Sequence, residues 1–327
     1  MIAVVLVGGR GTRLRPLTLT TPKQMLPVAG RPMIERVLAH LAAHGVDEVV
    51  LSLGYRPDAF RDAYPDGSCA GVRLHYAVEP EPLDTAGGIA FAARHAGVTE
   101  TFVVQNGDVL TTLDVSGLID FHRGHGGMAT IALTPVEDPS RYGVVATDAE
   151  GRVTAFVEKP EPGHAPSNWI NAGTYVLEPA VLESIAGDRP VSIEREIFPA
   201  LVGAGNLFAQ ASVADWVDAG TAATYLGANL SLARREDHWV EPGACIDPGA
   251  VVTESIVSAG AAVAGGATVE GALLMAGARV GPGATVRHSI VGSGAVVGDG
   301  AVVEALSMVG DGATVAAGSA LSGAVTA

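Results

Sequence analysis

Two lysines and eighteen arginines carry the positive charge of this 327-residue chain, and both lysines, Lys23 and Lys159, stand in short segments suited to holding phosphate. Arginine presents a planar fork and lysine a compact, mobile ammonium, so a chain that otherwise favours arginine keeps lysine where a point charge must meet an anion. The first segment runs Gly8-Gly9-Arg10-Gly11-Thr12-Arg13-Leu14-Arg15-Pro16-Leu17-Thr18 and on to Pro22-Lys23; the second is Phe156-Val157-Glu158-Lys159-Pro160. The apolar, β-branched run from Ile2 to Val7 reads as a buried strand feeding the first segment, whose glycines let the main chain approach an anion closely. From Arg10 to Arg31 there are five cationic side chains and no acidic one, although the chain as a whole has a formal charge of -15. That locally positive mouth fits a polyanionic small molecule. Nucleic acid would require an extended basic face and would be repelled by the acidic remainder.

The glycine-rich loop matches neither common phosphate motif. A Walker loop needs Lys and Ser/Thr after its last glycine, where this chain has Thr12-Arg13, and a dinucleotide fingerprint needs a glycine where Leu14 stands. The longer string resembles that of the sugar-1-phosphate nucleotidyltransferases, Gly-Gly-x-Gly-Thr-Arg-Leu-x-Pro-Leu-Thr with Pro-Lys downstream. The resemblance continues through Asn106-Gly107-Asp108, Tyr142-Gly143, Phe156 to Pro160, Ile170-Asn171-Ala172-Gly173, Ser192-Ile193-Glu194-Arg195-Glu196-Ile197-Phe198-Pro199 and Trp216-Val217-Asp218-Ala219-Gly220. Within that family the chain looks most like the mannose-1-phosphate guanylyltransferases that carry a hexapeptide tail.

The resemblance implies an NTP and a sugar 1-phosphate as substrates, GTP and mannose 1-phosphate first, with pyrophosphate released. A sugar phosphate oxygen must then reach the α-phosphorus in line, and the repulsion among the anions must be offset by cations and magnesium. Asp108 follows the strand-like run from Thr101 to Gln105, at a carboxyl end of the sheet where open α/β folds bind ligands, although a turn aspartate would have the same neighbours. Asp218 by itself would read as a helix cap. The resemblance assigns both to Mg2+, and their oxygen donors suit a hard cation. It also implies that Arg13 and Lys23 neutralise the nucleotide phosphates, that Gly8, Gly9, Gly11 and Thr12 line them, and that Lys159 grips the sugar phosphate. Glu158, Asn171, Asn106, Tyr142 and Gly143 would surround the sugar.

Base choice turns on residues 79 to 88, from which Glu79, Glu81, Thr85, Ala86 and Gly87 are expected at the nucleotide. Guanine offers two adjacent donors that a carboxylate can accept, whereas thymine and uracil favour a glutamine amide, and this segment has no glutamine. Asp84 stands where the family usually has glycine, and either meets the base or caps the helix starting near Thr85. Gln24 stands where proline usually follows Pro-Lys and is similar to the thymidylyl branch. The same reaction with dTTP or UTP and glucose 1-phosphate, or with GTP and a heptose or cyclitol phosphate, is therefore the alternative, beside a regulatory subunit that binds nucleotide sugar without catalysis.

These residues need a scaffold. Residues 1–235 alternate strand-like and helix-like runs, predicting an α/β domain with a doubly wound, mainly parallel sheet. Pro32 suits a helix start, Ile34, Val37, Leu38 and Leu41 recur at helical spacing, Gly45 suits a left-handed close, and Glu48 to Leu53 reads as the next strand. Residues 236–327 differ: Val291, Val297, Val303, Val309, Val315 and Leu321 lie six apart, the hexapeptide signature of a left-handed parallel β-helix. Three hexads per coil predict about four and a half coils between residues 240 and 321. The beat slips between Val252 and Val257 and between Val286 and Val291. Such coils also occur in acyltransferases, but His288 is the sole histidine of the repeat and reads as a corner residue rather than a base. An open coil end suits homo-oligomer contacts. Cys69 and Cys245 show neither metal-ligand spacing nor a disulfide framework, as expected in a reducing cytoplasm, and no run is long and apolar enough for a bilayer.

Overall fold

The computed structural model describes residues 1–327 apart from Asp188. The chain forms two compact units, one of Met1–Gly9 with Ile34–Trp216, the other of Arg10–Met33 with Val217–Ala327.

The first unit is built on a ten-stranded sheet. Its main strands are β1 (Ile2–Leu6), β2 (Glu48–Leu53), β3 (Val72–Val78), β4 (Phe102–Asn106), β5 (Ala129–Pro135), β6 (Gly143–Thr147), β7 (Val153–Glu158), β8 (Trp169–Leu177) and β9 (Leu207–Ala211). The path runs β7-β6-β8-β4-β1-β2-β3, with the short strand Ser68–Cys69 on the β3 edge, while β5 pairs β8 and β9 pairs β5. β4, β1, β2 and β3 are mutually parallel. The chain winds outward from β1 through β2 to β3 and then returns to β4 on the other side of β1, so the crevice at the carboxyl ends of β1 and β4 is the topological switch point. Helices α1 (Met33–Ala43), α2 (Asp84–His95) and α3 (Val115–His125) are the longer connections.

The expected helix and strand appear, α1 spanning Met33–Ala43 with Gly45 closing it at φ +80° and β2 spanning Glu48–Leu53, but Pro32 lies outside the helix, paired with Pro27 in a short strand just before it. The core on one face of the sheet includes Val4, Val104, Ile131, Leu133, Tyr175 and Leu177 with Ala86, Ile89 and Phe198, all buried. Burying each large aliphatic side chain contributes about 1.5–3 kcal/mol. Phe198 is held between aromatic neighbours, its ring 5.1 Å from Tyr175 and 5.3 Å from Phe156.

The second unit contains three five-stranded parallel sheets formed by fifteen two- or three-residue strands between Cys245 and Thr326, together with helix α4 (Ala222–Glu236) and the loop Arg10–Met33. This is the β-helix architecture expected from the hexads. Its interior column is small and aliphatic: Val263, Val280, Val297 and Val315 stack in one sheet, Val269, Val286 and Val303 in another, Val257, Leu274, Val291 and Val309 in the third. Two details correct the count. There are five coils, and most advance 17 residues, as in the ladder Val257, Leu274, Val291, with an extra residue before Val309. The slip recurs at one corner, where a residue with positive φ tightens the turn: Glu254 (+44°), Gly271 (+54°) and His288 (+43°). His288 is thus a corner residue, as expected, with its amide donating to Glu270 O.

Candidate active site

At the carboxyl edge of the first unit's sheet, Gly8 and Gly9 follow β1 and Asn106-Gly107-Asp108 follows β4. Gly107 donates its amide to Leu6 O at 2.9 Å, fixing the turn that carries Asp108 across the end of β1. β8 runs antiparallel to β4, pairing Thr174 with Gln105, which brings the amino-terminal half of β8 to the same edge. There the ladder with β5 is interrupted between Asn171 and Tyr175, and Gly173 turns at φ +75° with its Cα against the Asn106 side chain. Asn171 is thereby oriented at both ends of its amide: Nδ2 donates to the Tyr175 hydroxyl at 2.9 Å and Oδ1 accepts from Gly173 N at 2.9 Å. Each amide end keeps one further hydrogen-bonding position, which is what reading a hydroxyl requires.

β6 and β7 add the next group. Their antiparallel register pairs Gly143 with Glu158 and Val144 with Val157, while Val144 also faces Ile170 of β8. A Cβ on Gly143 would lie 2.7 Å from Phe156 Cζ and 3.0 Å from Glu158 Oε2, so glycine is what lets both side chains cross the strand there. The Glu158 carboxylate is mostly covered, and its Oε1 is 3.1 Å from Lys159 Nζ, whose side chain is 58% exposed. Lys159 follows β7 in the left-handed region, φ +50°, with its amide donating to Tyr142 O at 3.0 Å. A β-carbon in that region is strained by about 1 kcal/mol or more, a burden that recurs at functional sites. The Tyr142 ring stands edge-on to Trp216 at 5.7 Å, and Trp216 Nε1 donates to Ala172 O at 2.8 Å. Lys159, Glu158, Gly143, Tyr142 and Asn171 are therefore brought together on, or just outside, the neighbouring strands β7, β6 and β8. Gly143 lies within a strand rather than in a turn, and Tyr142 is half-exposed rather than core.

Tyr175 marks the electrostatics. Burial is the main reason its hydroxyl is held well above the ordinary phenol range, and the charges of Glu194, Glu158 and Asp108 push the same way. A neutral hydroxyl thus underlies a strongly acidic rim. Glu194, within the Ser192–Pro199 motif, is a further contributor. It sits in a π-turn, Ile193–Ile197, and its Oε2 accepts from Thr85 Oγ1 at 2.7 Å and from Ser192 Oγ at 2.8 Å. Its signal was the run of acids at residues 194 and 196 beside Ser192.

Residues 79 to 88 take a mostly architectural position. Glu79 accepts from Ser52 Oγ at 2.8 Å and from Leu83 N at 3.1 Å, bracing the segment against β2. The Thr85 hydroxyl is joined to Glu194 and to Ile193 N, and the amides of Ala86 and Gly87 both donate to Val191 O. Glu81 is exposed. Asp84 corrects the cap expected of it: it is the first residue of α2 at φ +61°, and its Oδ1 accepts from the next amide, Thr85 N, at 2.8 Å. An N-cap role is not needed to explain the position. It requires the left-handed region, which glycine enters without strain and aspartate tolerates.

The second unit holds the remaining candidates, Gly11, Thr12, Arg13, Lys23 and Asp218. Gly11 (φ +57°) is held by Thr18 Oγ1, which donates to Gly11 O at 2.8 Å, and a Cβ there would lie 3.1 Å from Lys23 Cβ. Lys23 is buried to 7% exposure, while Thr12 and Arg13 are exposed. Asp218 ends the short strand Trp216–Asp218, and its Oδ1 and Arg13 Nη2 both press on Gly220, 2.7 and 2.8 Å from where a Cβ would stand. Asp218 is not the helix cap: Thr221 caps α4, in a reciprocal capping box with Thr224. Gln24 is buried, with Oε1 unpartnered.

Among the described residues no group of three or more His, Cys, Asp or Glu side chains gathers as a cation site, and no helix is long and apolar enough to cross a membrane.

Comparison with known proteins meets this geometry. Residues 2–235 match the family model described as nucleotidyl transferase, and residues 235–326 match one described as the GMPPB C-terminal domain. The chain is 42% identical over 263 residues to a mannose-1-phosphate guanylyltransferase of Mycobacterium tuberculosis, covering 76% of this chain and 72% of that one. It is likewise 42% identical over 263 residues to a probable mannose-1-phosphate guanylyltransferase of rice, Oryza sativa subsp. japonica, covering 78% and 72%. Among solved structures it resembles HddC from Yersinia pseudotuberculosis complexed with GMP-PN, with TM-score 0.61 and 30% identity over 71% of this chain and 99% of that one. Proteins of this family generally use a divalent metal ion. The signature loop, the switch-point sheet edge and the match over residues 2–235 together identify the chain as a member of the nucleotidyl transferase family, a sugar-1-phosphate nucleotidyltransferase.

Proposed function

We propose that the protein transfers the guanylyl group of GTP to mannose 1-phosphate. A phosphate oxygen of mannose 1-phosphate attacks the α-phosphorus of GTP, the bond from that phosphorus to the β-phosphate oxygen breaks, and pyrophosphate leaves with GDP-mannose as the product. The observation that carries the reading is the convergence of Glu158 and Lys159, at the end of β7, with Asn171 of β8, on either side of β6 and beside the Asn106–Asp108 turn. That edge offers a cation for a phosphate together with an acceptor and an amide for hydroxyls. The guanylyltransferase relatives and the GMP-PN complex of HddC support the substrate pair.

Lys159 holds the sugar phosphate, Glu158 and Asn171 read sugar hydroxyls, and Tyr142, Gly143 and Asn106 shape their surroundings. Arg13 and Lys23 neutralise the nucleotide phosphates, against the main chain of Gly8, Gly9, Gly11 and Thr12. Glu81 is the exposed acceptor for the base, while Glu79, Thr85, Ala86 and Gly87 set the shape of the segment carrying it. The carboxylates of Asp108 and Asp218 are the donors for Mg2+. Their oxygen chemistry fits that ion, which takes one or two carboxylates and completes its shell with water and substrate phosphates. When bound, the metal offsets the charge that develops on the phosphates. The enzyme acts in the cytoplasm as a homo-oligomer.

The test is pyrophosphate release by the purified protein with magnesium, mannose 1-phosphate and each of GTP, dTTP, UTP, ATP and CTP in turn. Release with GTP alone is expected. Release with dTTP or UTP, or only when glucose, heptose or cyclitol phosphates replace mannose 1-phosphate, would keep the chemistry and change the pair. Binding of nucleotide sugar without turnover of any pair would make this a regulatory subunit.

A further inference from the structure

The loop Arg10–Met33, which bears Arg13 and Lys23, belongs to the same compact unit as the β-helix. Both ends of the loop are tied down. Near its end, Ala29 N donates to Asn229 Oδ1 at 3.0 Å, the Tyr225 hydroxyl donates to Pro27 O, and Gly30 packs on the His238 ring. These ties come from α4 and the residues just after it. Near its start the ties come from the fourth coil: Thr20 Oγ1 donates to Asp311 Oδ2 at 3.1 Å, and Pro16 lies on Gly310, where a Cβ would be 2.8 Å from Pro16 Cγ.

The repeat supplies its own control for that contact. In the ladder Val257, Leu274, Val291, Val309, the next residue along the chain is Ser258, Met275, Gly292 and Gly310, and the one after it is Ala259, Ala276, Ser293 and Asp311. A side chain as large as methionine is accepted one position past Leu274, and Gly310 has no positive φ to explain a glycine. Pro16 explains it. Asp311 is the one acidic residue of its column, and its two oxygens are divided, Oδ1 accepting from Ser293 N at 2.8 Å and Oδ2 from Thr20. The coil thus departs from its repeat at Asp311, where the loop's threonine bonds to it. Thr20 is two residues from Thr18, whose hydroxyl holds Gly11 O, and Gly11 lies against Lys23.

We infer that Asp311 is a positioning residue for nucleotidyl transfer, the β-helix acting as the bed on which the nucleotide-phosphate loop is set. This rests on the assignment of Arg13 and Lys23 to the nucleotide. Losing the tie leaves the sugar-phosphate residues untouched, because those belong to the sheet unit, and loosens only the loop.

The experiment uses the full chain and four variants, Asp311→Ala, Thr20→Val, Thr20→Ser and the double variant Thr20→Val with Asp311→Ala. Hydrogen exchange without any substrate is the first readout. Faster exchange is expected in peptides covering residues 10 to 26 for Asp311→Ala and Thr20→Val, with unchanged exchange in β1, β4 and β8 and wild-type behaviour for Thr20→Ser. Steady-state kinetics is the second: KM for the nucleotide should rise about three- to tenfold, the worth of one hydrogen bond, with KM for the sugar phosphate within about twofold and the double variant no worse than either single one. Unchanged exchange in residues 10 to 26, or KM values rising equally for both substrates, would overturn the inference. If wild-type protein turns over no pair, the substrate reading fails, while the exchange result still decides whether coil and loop are tied.

Discussion

Gly143 and Glu158 face each other across the β6–β7 ladder, and the space that a side chain on Gly143 would fill is where Glu158 Oε2 lies. Gly143→Ala should therefore displace Glu158 and Phe156 together. Stability is expected to fall by about 1–3 kcal/mol, as for other overpacked sites. Turnover should fall through the sugar phosphate rather than the nucleotide, with kcat/KM for sugar phosphate reduced about tenfold. Thermal unfolding and separate substrate titrations check both parts; an alanine variant with wild-type kinetics removes Glu158 from the sugar site.

Lys159 combines a role with a strained backbone, and substitution can separate them. Lys159→Ala and Lys159→Gly should both raise KM for sugar phosphate far more than KM for nucleotide. The glycine variant should be the more stable of the two by about 0.5–1 kcal/mol, because it occupies φ +50° freely. Unfolding curves that rank alanine above glycine would contradict the backbone argument, and a nucleotide-selective defect would contradict the assignment of the cation.

Asp84 makes the opposite prediction. At φ +61° with an exposed side chain, Asp84→Gly should leave nucleotide preference unchanged and stability equal or higher, whereas Asp84→Ala should lose about 1 kcal/mol. A change of preferred base in the glycine variant would restore Asp84 to base recognition.

For the metal, Asp108→Asn should abolish divalent-ion-dependent turnover, with a melting temperature within a few degrees of wild type, because the residue lies in a half-exposed turn after β4 rather than in the core. Normal turnover in that variant would remove Asp108 from the metal site.

The two cysteines should differ in reactivity. Burial, with the Glu35 charge adding to it, pushes the Cys69 thiol up to about 11, whereas Cys245 is exposed on the first coil. Since the thiolate is the reacting form, at pH 8 Cys69 presents roughly one thiolate in a thousand. A disulfide reagent should modify Cys245 first, and Cys69 should accelerate as the pH rises toward 11. Equal rates at pH 8 would show that Cys69 is not sheltered.

Much of this was legible in the chain because periodicity and punctuation report local structure. The apolar run before Gly8, the helical spacing of Ile34, Val37, Leu38 and Leu41, and the hexads ending at Leu321 each specify an element without reference to the rest. What escaped was set by dihedral angles or by distant partners. Nothing in the letters around Asp84 or His288 states that φ is positive there, and a hexad rule does not reveal that most coils drop one residue at the same corner. The bracing of Thr85 by Glu194 joins positions 109 apart, and the bond from Thr20 to Asp311 joins positions 291 apart. No local pattern encodes such pairs.

That last separation bears on the order in which the molecule is made. Residue 20 leaves the ribosome 291 residues ahead of its partner, so at roughly 5–20 residues per second the loop waits about 15–60 s for the coil that receives it. A nascent chain stalled before residue 311 can complete β1 to β9 and still lack the bed for its phosphate-binding loop, so nucleotide affinity should arrive late in biosynthesis, after the sheet is already formed.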